Sequence, residues 1–280
     1  MQSDLLVGAV GMLLVAKAAI VIWQLHGQGA MPAWFWYGCG FSAGFALLVW
    51  VLRSATAPAA AMGGVICLNV LLRQGGGPET SWQETALPAL LALFVLTFAA
   101  TRFGRSRKEA MGTAEARTGR RASQVVANLG MAGLCAGAGP GVGSGAGSAA
   151  LMAACIAALA EATADTVSSE MGQVFACSRW GTALLVTTGR PVEAGTDGAV
   201  SVAGTVSGVG AALVVVLLSP LAHASAALVL SVFGAGCAGL FFDSLLGATV
   251  ERRGWLGNDL VNFASTVFAA ITAYAAVRLL

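Results

Sequence analysis

Four polar segments interrupt an otherwise apolar chain, and they carry the side chains that hold phosphate and divalent cations. They read G-R-R-A-S-Q-V-V-A-N (119–128), A-D-T-V-S-S-E-M-G (164–172), G-T-D-G-A-V-S-V-A-G-T (195–205) and F-D-S-L-L-G-A-T (242–249). Carboxylates and hydroxyls suit hard cations such as magnesium, and arginine forks suit phosphate oxygens. Together the segments predict a site for a phosphorylated, metal-bound ligand.

The acidic segment places several oxygen ligands on one helical face. Glu161, Asp165 and Ser168 lie three or four residues apart, and Ser169 is the alternative to Ser168. Glu170 follows Asp165 by about 140° around a regular helix. Acids near the end of a membrane helix are costly unless they are paired or bind a metal. The segment therefore indicates a functional site. The structural alternative is a solvated helix end, or acids paired with the arginines of 119–128.

The glycine segment 195–205 predicts a turn followed by a helix. Gly195 to Gly198 form the turn, and Thr196 or Asp197 is the expected cap of the helix that follows. Such a helix end presents free N–H groups and the positive end of the helix dipole, which bind phosphate.

The same segment continues with hydroxyls and small residues inside the helix. Ser201 and Thr205 lie one turn apart and present two hydroxyls on one face. Gly204 and Gly208 form a G-x-x-x-G, which is typical of closely packed membrane helices. Capping followed by close packing, without any ligand, is therefore the alternative interpretation.

Segment 119–128 combines arginines with a pair of amides. Arg120 and Arg121 suit bidentate binding of phosphate oxygens, although topology and lipid head groups also explain arginines here. Gln124 and Asn128 lie four residues apart on one helical face. Their pairing has no topological role, so it favours a binding function.

Asp243 and a second amide pair complete the candidate residues. Asp243 lies in an apolar run, one or two turns before its end at Glu251, and we expect it to be a second metal ligand. Asn258 and Asn262 open the last apolar run, where Asn258 is also a plausible helix cap. Lys17 lies midway along the first run, and pairing with a buried acid, lining a cavity and snorkelling all fit it.

Composition predicts that these residues are held by a helical membrane bundle. The 280 residues have a mean hydropathy of +0.80 and only 10% charged residues, against roughly 25% in soluble domains. We expect an all-α, polytopic integral membrane protein with a single domain over residues 1–280. No H-E-x-x-H, G-x-S-x-G or P-loop sequence is present, which argues against zinc proteases, serine hydrolases and Walker-type ATPases.

The apolar runs predict about nine transmembrane helices. Runs of sufficient length, about 17–25 residues, occur at 5–25, 33–52, 56–72, 86–102, 122–138, 146–168, 198–219, 223–248 and 259–280. The third run is short and the fifth is rich in glycine. Segment 137–147, G-A-G-P-G-V-G-S-G-A-G, is expected to be a connection rather than a helix.

The distribution of positive charge predicts the orientation. Segment 102–121 holds seven of the fifteen lysines and arginines, so it is expected in the cytoplasm. The N-terminus is then cytoplasmic and, with nine crossings, the C-terminus lies outside. Twelve of the fifteen basic residues and all four polar segments fall on the cytoplasmic side. We expect a multi-pass protein of the bacterial inner membrane with its active site facing the cytoplasm.

The order of the motifs resembles the transmembrane protein 19 family, also called domain of unknown function 92. The motifs are T-R-x-G…R-K (101–108), R-R-x-x-Q-V-x-A-N (120–128), A-D-T-x-x-S-E-x-G (164–172), V-x-x-G-T-x-G-x-V-S-x-x-G-T (192–205), D-S-L-L-G-A-T (243–249) and N-D-x-V-N (258–262). The resemblance covers the motif region 101–265, while residues 1–100 are poor in motifs.

The resemblance implies a kinase. The family includes phytyl phosphate kinase and is distantly similar to CTP-dependent phytol and dolichol kinases. By this resemblance the metal ligands are Asp165 and Glu170, to which the residue argument adds Asp243. The implied catalytic residues are Asp165, Lys108, Arg120 and Arg121. The implied nucleotide-binding residues are Gln124, Asn128, Ser169, Gly195, Thr196, Gly198, Ser201, Gly204, Thr205, Asn258 and Asn262. Asp197 departs from the family pattern, in which Asn or Ser is expected.

We therefore expect a membrane kinase that uses Mg²⁺ and CTP, or another nucleoside triphosphate, to phosphorylate an isoprenyl monophosphate. The expected partners are this lipid, the nucleotide and membrane lipids. No nucleic-acid partner is expected, and self-association is left open. Two alternatives are a transporter or flippase for an anionic lipid or solute, and a nucleotidyltransferase that makes a CDP-linked lipid.

Overall fold

The computed structural model describes residues 1–72, 82–136 and 146–280, and these fold almost entirely into helices. The predicted connection at 137–147 lies largely outside the described residues. The helices are α1 (Gln2–Gly27), α2 (Ala33–Val51), α3 (Ala57–Leu71), α4 (Leu87–Arg102), α5 (Arg105–Met111), α6 (Ala122–Cys135), α7 (Ala146–Val174), α8 (Val202–Leu217), α9 (Ala226–Leu246) and α10 (Asn258–Leu279). Strands β1 (Leu184–Leu185) and β2 (Ala199–Val200) form a small antiparallel pair between α7 and α8.

The all-α prediction is confirmed, and each of the nine apolar runs contains one helix in the described part of the chain. Five helices, α1, α2, α7, α9 and α10, are long and apolar enough to cross a membrane. Helix α4 joins α5 through a 61° bend and counts as a sixth span if the two form one broken crossing. Helices α3, α6 and α8 have 14 to 16 residues, or roughly 21–24 Å, which is short of a 30 Å hydrocarbon core. Nine full crossings therefore remain a prediction.

Helix α7 is the centre of the bundle. Of its apolar window, 78% is buried, against 17–33% for the other four long helices. Its middle is built from alanine, from Ala153 to Ala164, so neighbouring helices pack close to its backbone. Helices α4, α6, α8, α9 and α10 all contact it. The C-terminal half of α7, which carries the acidic segment, is thereby surrounded by the other polar segments.

Glycines set the distance between α7 and α8. A Cβ on Gly204 would lie 2.6 Å from the carbonyl oxygen of Ser168, and one on Gly208 would lie 2.6 Å from that of Ala164. Any side chain at these positions would push the helices apart. The close packing expected of the G-x-x-x-G is confirmed.

The ends of distant helices meet at one end of the bundle. The Gln2 amide donates to the carbonyl of Trp255 (3.0 Å) and accepts from the N–H of Gly257 (2.9 Å), which joins the start of α1 to the α9–α10 connection. Arg120 pairs with Ala55 through a short backbone bridge, which joins the start of α6 to the α2–α3 connection. The four polar segments all lie toward this end.

Lys17 satisfies the C-terminal end of α6. Its ammonium donates to the carbonyls of Gly133 (2.7 Å), Leu134 (3.0 Å) and Ala136. These groups have no partner within the helix, and a cation there also complements the negative end of the helix dipole. Of the roles expected for Lys17, none describes this contact; its role in the structure is to cap a helix.

The orientation can be tested with reporter fusions. We expect green fluorescent protein fused after Glu115 to fluoresce and alkaline phosphatase fused there to be inactive, because the positive charge of 102–121 favours the cytoplasmic side. After Leu280 the opposite pattern is expected from nine crossings. Fluorescence at both positions would contradict an odd number of spans.

Candidate active site

A polar cavity of about 220 Å³ lies at the end of the bundle where the polar segments meet. Its walls come from the C-terminal half of α7, the turn before β2, the end of α9 and the start of α10. Its polar and glycine lining comprises Asp165, Ser168, Ser169, Gly172, Gln173, Gly195, Thr196, Asp197, Gly198, Ser201, Asp243, Ser244, Gly247, Glu251, Asn258 and Asn262. Residues far apart in sequence thus converge on one space.

The polar cavity is acidic. Asp165, Asp197, Asp243 and Glu251 line it, and its described lining contains no lysine or arginine. Four acidic side chains around one space suit a bound cation, which would balance their charge.

The carboxylates of the described residues do not form a complete metal cage. In the described ranges no three Asp, Glu, His or Cys side chains are placed to hold a metal by themselves. Magnesium commonly takes one or two carboxylates and completes its shell with water and phosphate oxygens. Asp165 and Asp243, on neighbouring helices, fit this pattern.

Glu161 lies beneath the cavity, one turn before Asp165. It is only 1% exposed, and its Oε1 has no hydrogen-bond partner in the described structure. Gly239 of α9 leaves it room, since a Cβ there would lie 2.5 Å from Glu161 Cγ. On the same side, Ser265 of α10 donates to Asp243 Oδ2 at 3.1 Å. A buried acid with an unpaired oxygen therefore lies directly beneath the cavity.

Glu170 does not contribute to the cavity. It forms a buried ion pair with Lys108, whose Nζ lies 2.5 Å from Glu170 Oε2. The same ammonium donates to the carbonyls of Ala100 and Thr101 at the end of α4. In this structure Glu170 and Lys108 bind each other and do not line the cavity, and their expected metal and catalytic roles stay predictions. The turn of the helix sends Glu170 away from Asp165, and there it meets the cation that ties α4 and α5 to α7.

The start of α8 is corrected. The helix begins at Val202 rather than near 198, and its cap is Ser201, whose Oγ accepts from the N–H of Gly204 at 3.1 Å. The N–H of Ala203 donates to the carbonyl of Trp180 at 2.8 Å. These N–H groups are thus occupied by the protein itself, so the helix start is not the open phosphate site that was expected.

Two glycines, one in the turn before β2 and one at the end of α9, let that turn pack against α9 at the cavity. Gly198 has a φ of +73°, and a Cβ there would lie 2.1 Å from the backbone nitrogen of Ala248. A Cβ on Gly247 would lie 2.7 Å from the nitrogen of Gly198. Only glycine allows this backbone contact, which presses Gly195, Thr196 and Asp197 against the end of α9.

Segment 119–128 lies beside the cavity rather than in it. Gln124 Oε1 accepts from the backbone N–H of Arg121 at 2.7 Å and so caps α6, while the Arg121 side chain is exposed. The Arg120 guanidinium donates to Thr166 Oγ1 at 3.3 Å, and Thr166 directly follows Asp165 in the chain. Asn128 Oδ1 accepts from Asn262 Nδ2 at 3.3 Å, and Asn262 lines the cavity.

The predicted residues therefore fall into two groups. The cavity collects Asp165, Ser169, Gly195, Thr196, Gly198, Ser201, Asp243, Asn258 and Asn262. Its described lining does not include Lys108, Arg120, Arg121, Gln124, Asn128, Glu170, Gly204 and Thr205. Prediction from sequence passed over Gln173, Ser244 and Glu251 as site residues. Ser244 and Glu251 lie seven residues apart, and this helical spacing was the available signal for both.

Comparison with known proteins identifies the family. The family described as "Integral membrane protein DUF92" matches residues 40–270, which include all four polar segments. The chain belongs to the DUF92 family. This confirms the resemblance found in the motifs and establishes the chain as a multi-pass integral membrane protein.

Three curated relatives of this DUF92 protein carry the similarity. "Uncharacterized membrane protein MJ0933" of Methanocaldococcus jannaschii is 39% identical over 107 residues, which are 38% of this chain and 43% of the relative. "Uncharacterized membrane protein sll0875" of Synechocystis is 34% identical over 203 residues, 66% of this chain and 70% of the relative. "Protein VTE6, chloroplastic" of Arabidopsis thaliana is 32% identical over 191 residues, 65% and 55% of the two chains. No solved structure matches the chain.

Replacing Lys108 tests whether its role is structural. We expect Lys108→Met to lower the free energy of unfolding in detergent by roughly 3–5 kcal/mol, because it leaves the Glu170 carboxylate unpaired in a buried position. Arg117→Met is the control, since its guanidinium is exposed in the ion pair with Glu109 and should change stability little. A Lys108→Met protein of parental stability would contradict the structural role.

Proposed function

We propose that this DUF92 protein is a membrane-embedded kinase that phosphorylates an isoprenyl monophosphate. The donor is CTP or another nucleoside triphosphate, and Mg²⁺ accompanies it. The observation that supports this most is the polar cavity with four carboxylates and no lysine or arginine in its described lining. The motif resemblance to the family of phytyl phosphate kinase supplies the substrate class.

The proposed reaction moves one phosphoryl group. An oxygen of the lipid's phosphate attacks the terminal phosphorus of the nucleotide and forms a new P–O bond. The bond from that phosphorus to its bridging oxygen breaks, and the nucleoside diphosphate leaves. The products are the isoprenyl diphosphate and the nucleoside diphosphate. Phosphoryl transfer depends mainly on positioning and charge balance, which a fixed set of polar groups provides.

Each wall of the cavity has a proposed part in that positioning. Asp165 and Asp243 would bind Mg²⁺. The bound Mg²⁺ would hold the phosphates of the nucleotide and neutralise part of their charge. Asn258 and Asn262 would donate amide N–H groups to phosphate or base. Arg120 lies next to this set through Thr166, which supports our assignment of Arg120 to the phosphate of the lipid.

The gathering of polar groups at one end favours a kinase over a carrier. An alternating-access transporter needs polar groups that reach both sides of the membrane. Here the four acidic lining residues share one end of the bundle. We propose that this end faces the cytoplasm of a bacterial inner membrane, where nucleotides are available.

The Asp165→Asn variant tests the site. We expect diphosphate formation to fall by about 100-fold or more, with little change in folding. The substitution keeps the shape of the side chain and removes a metal ligand. The assay uses purified protein, Mg²⁺, each of CTP, ATP, GTP and UTP, and farnesyl, geranylgeranyl or phytyl phosphate, with products measured by mass spectrometry. Asp4→Asn is the matched control, since Asp4 is exposed and bonds only to the terminal amine among the described contacts.

The products separate the proposal from its alternatives. Release of pyrophosphate with a CDP-linked lipid would show a nucleotidyltransferase. Movement of lipid across proteoliposomes without nucleotide would show a transporter. Absence of diphosphate with all four nucleotides would overturn the kinase proposal.

A further inference from the structure

An apolar cavity of about 80 Å³ lies beside the polar cavity, between α2, α3, α4, α6 and α7. Its walls include Phe45, Val49, Leu93, Phe94, Leu129 and Ala162. Hydrocarbon is the matching occupant for this part of the space, because these six side chains offer water no hydrogen bond.

The lining of the apolar cavity includes four polar residues, which are Ser54, Thr97, Arg120 and Asn128. Two of them, Arg120 and Asn128, connect it to the polar cavity. Arg120 bonds to Thr166, the neighbour of Asp165 in the chain, and Asn128 bonds to Asn262 of the polar cavity. These two contacts form the partition between the cavities, with the acidic cavity on one side and the hydrocarbon walls on the other.

We infer that the apolar cavity binds the isoprene unit nearest the phosphate of the lipid substrate. This rests on the proposed function. The guanidinium of Arg120 would hold the lipid's phosphate at the partition, facing the nucleotide in the polar cavity. An anionic head with an apolar, single chain matches both the charge of Arg120 and the composition of the walls.

The size of the cavity limits how much of the chain it holds. At roughly 10–15 Å³ for each water-sized group, 80 Å³ holds roughly five to eight heavy atoms. One isoprene unit has five carbons. The remainder of the chain lies outside this cavity, so substrates that differ only in distal units should react at similar rates.

Gly63 of α3 gives a direct way to fill the cavity. It lines the space, and a Cβ built on it meets no atom within 4 Å. We expect Gly63→Leu to fold normally and to raise the KM for geranylgeranyl phosphate at least about tenfold, since its side chain takes the place of the isoprene unit. The KM for the nucleotide should stay the same. Gly44→Leu is the control, because Gly44 is an exposed helical glycine of α2 with equally open space.

Photolabelling gives a readout that does not depend on catalysis. The parent protein is irradiated with a farnesyl phosphate analogue that carries a diazirine in the isoprene unit next to the phosphate. We expect labelled peptides from α2, α4 and α6, and loss of this labelling in Gly63→Leu but not in Gly44→Leu. Labelling there without diphosphate formation would support the lipid site and overturn the kinase proposal. Diphosphate formation with labelling elsewhere, and an unchanged KM in Gly63→Leu, would overturn the lipid site and leave the kinase proposal standing.

Discussion

Carboxylates at the end of an apolar bundle need positive partners, and this constraint organises the structure. Two basic residues pair with acids outside the cavity, Lys108 with Glu170 and Arg105 with Glu109, while Arg120 lies beside Asp165 through Thr166. Asp165, Asp243 and Glu251 share the polar cavity without lysine or arginine in its described lining. An uncompensated acidic space inside a membrane protein is expensive unless a cation enters it with its ligand. The proposed function follows from this imbalance.

Close packing of small residues creates the imbalance. Gly204 and Gly208 bring α8 within van der Waals distance of the α7 backbone, and Gly239 brings α9 against Glu161. Gly198 presses the preceding turn onto the end of α9. Each contact moves an acidic or polar segment toward the same space. A side chain at any of these positions would clash with its neighbour and push the segments apart.

Much of the arrangement was predictable from sequence because helical spacing is local. Spacing put Asp165 and Ser168 on one face, and both line the cavity. The contacts that the sequence did not indicate are tertiary contacts. The partner of Glu170 lies 62 residues away at Lys108, so no local pattern indicates the pair. The donors of α8 are occupied because the chain folds back to Trp180, and a turn sequence does not report that contact. The burial of Glu161 likewise depends on Gly239, from another helix.

In the proposed function, nucleotide and magnesium bind together in the acidic cavity. Thermal unfolding of the purified protein tests this with non-hydrolysable analogues of CTP, ATP, GTP and UTP, with Mg²⁺ alone, and with each analogue and Mg²⁺ together. At a ligand concentration of about 100 times Kd, joint binding would stabilise the protein by about 2.7 kcal/mol, while either component alone would have little effect. An equal shift of the unfolding temperature with an analogue in the presence of EDTA would contradict joint binding. The absence of any shift with saturating analogue and Mg²⁺ together would contradict it as well.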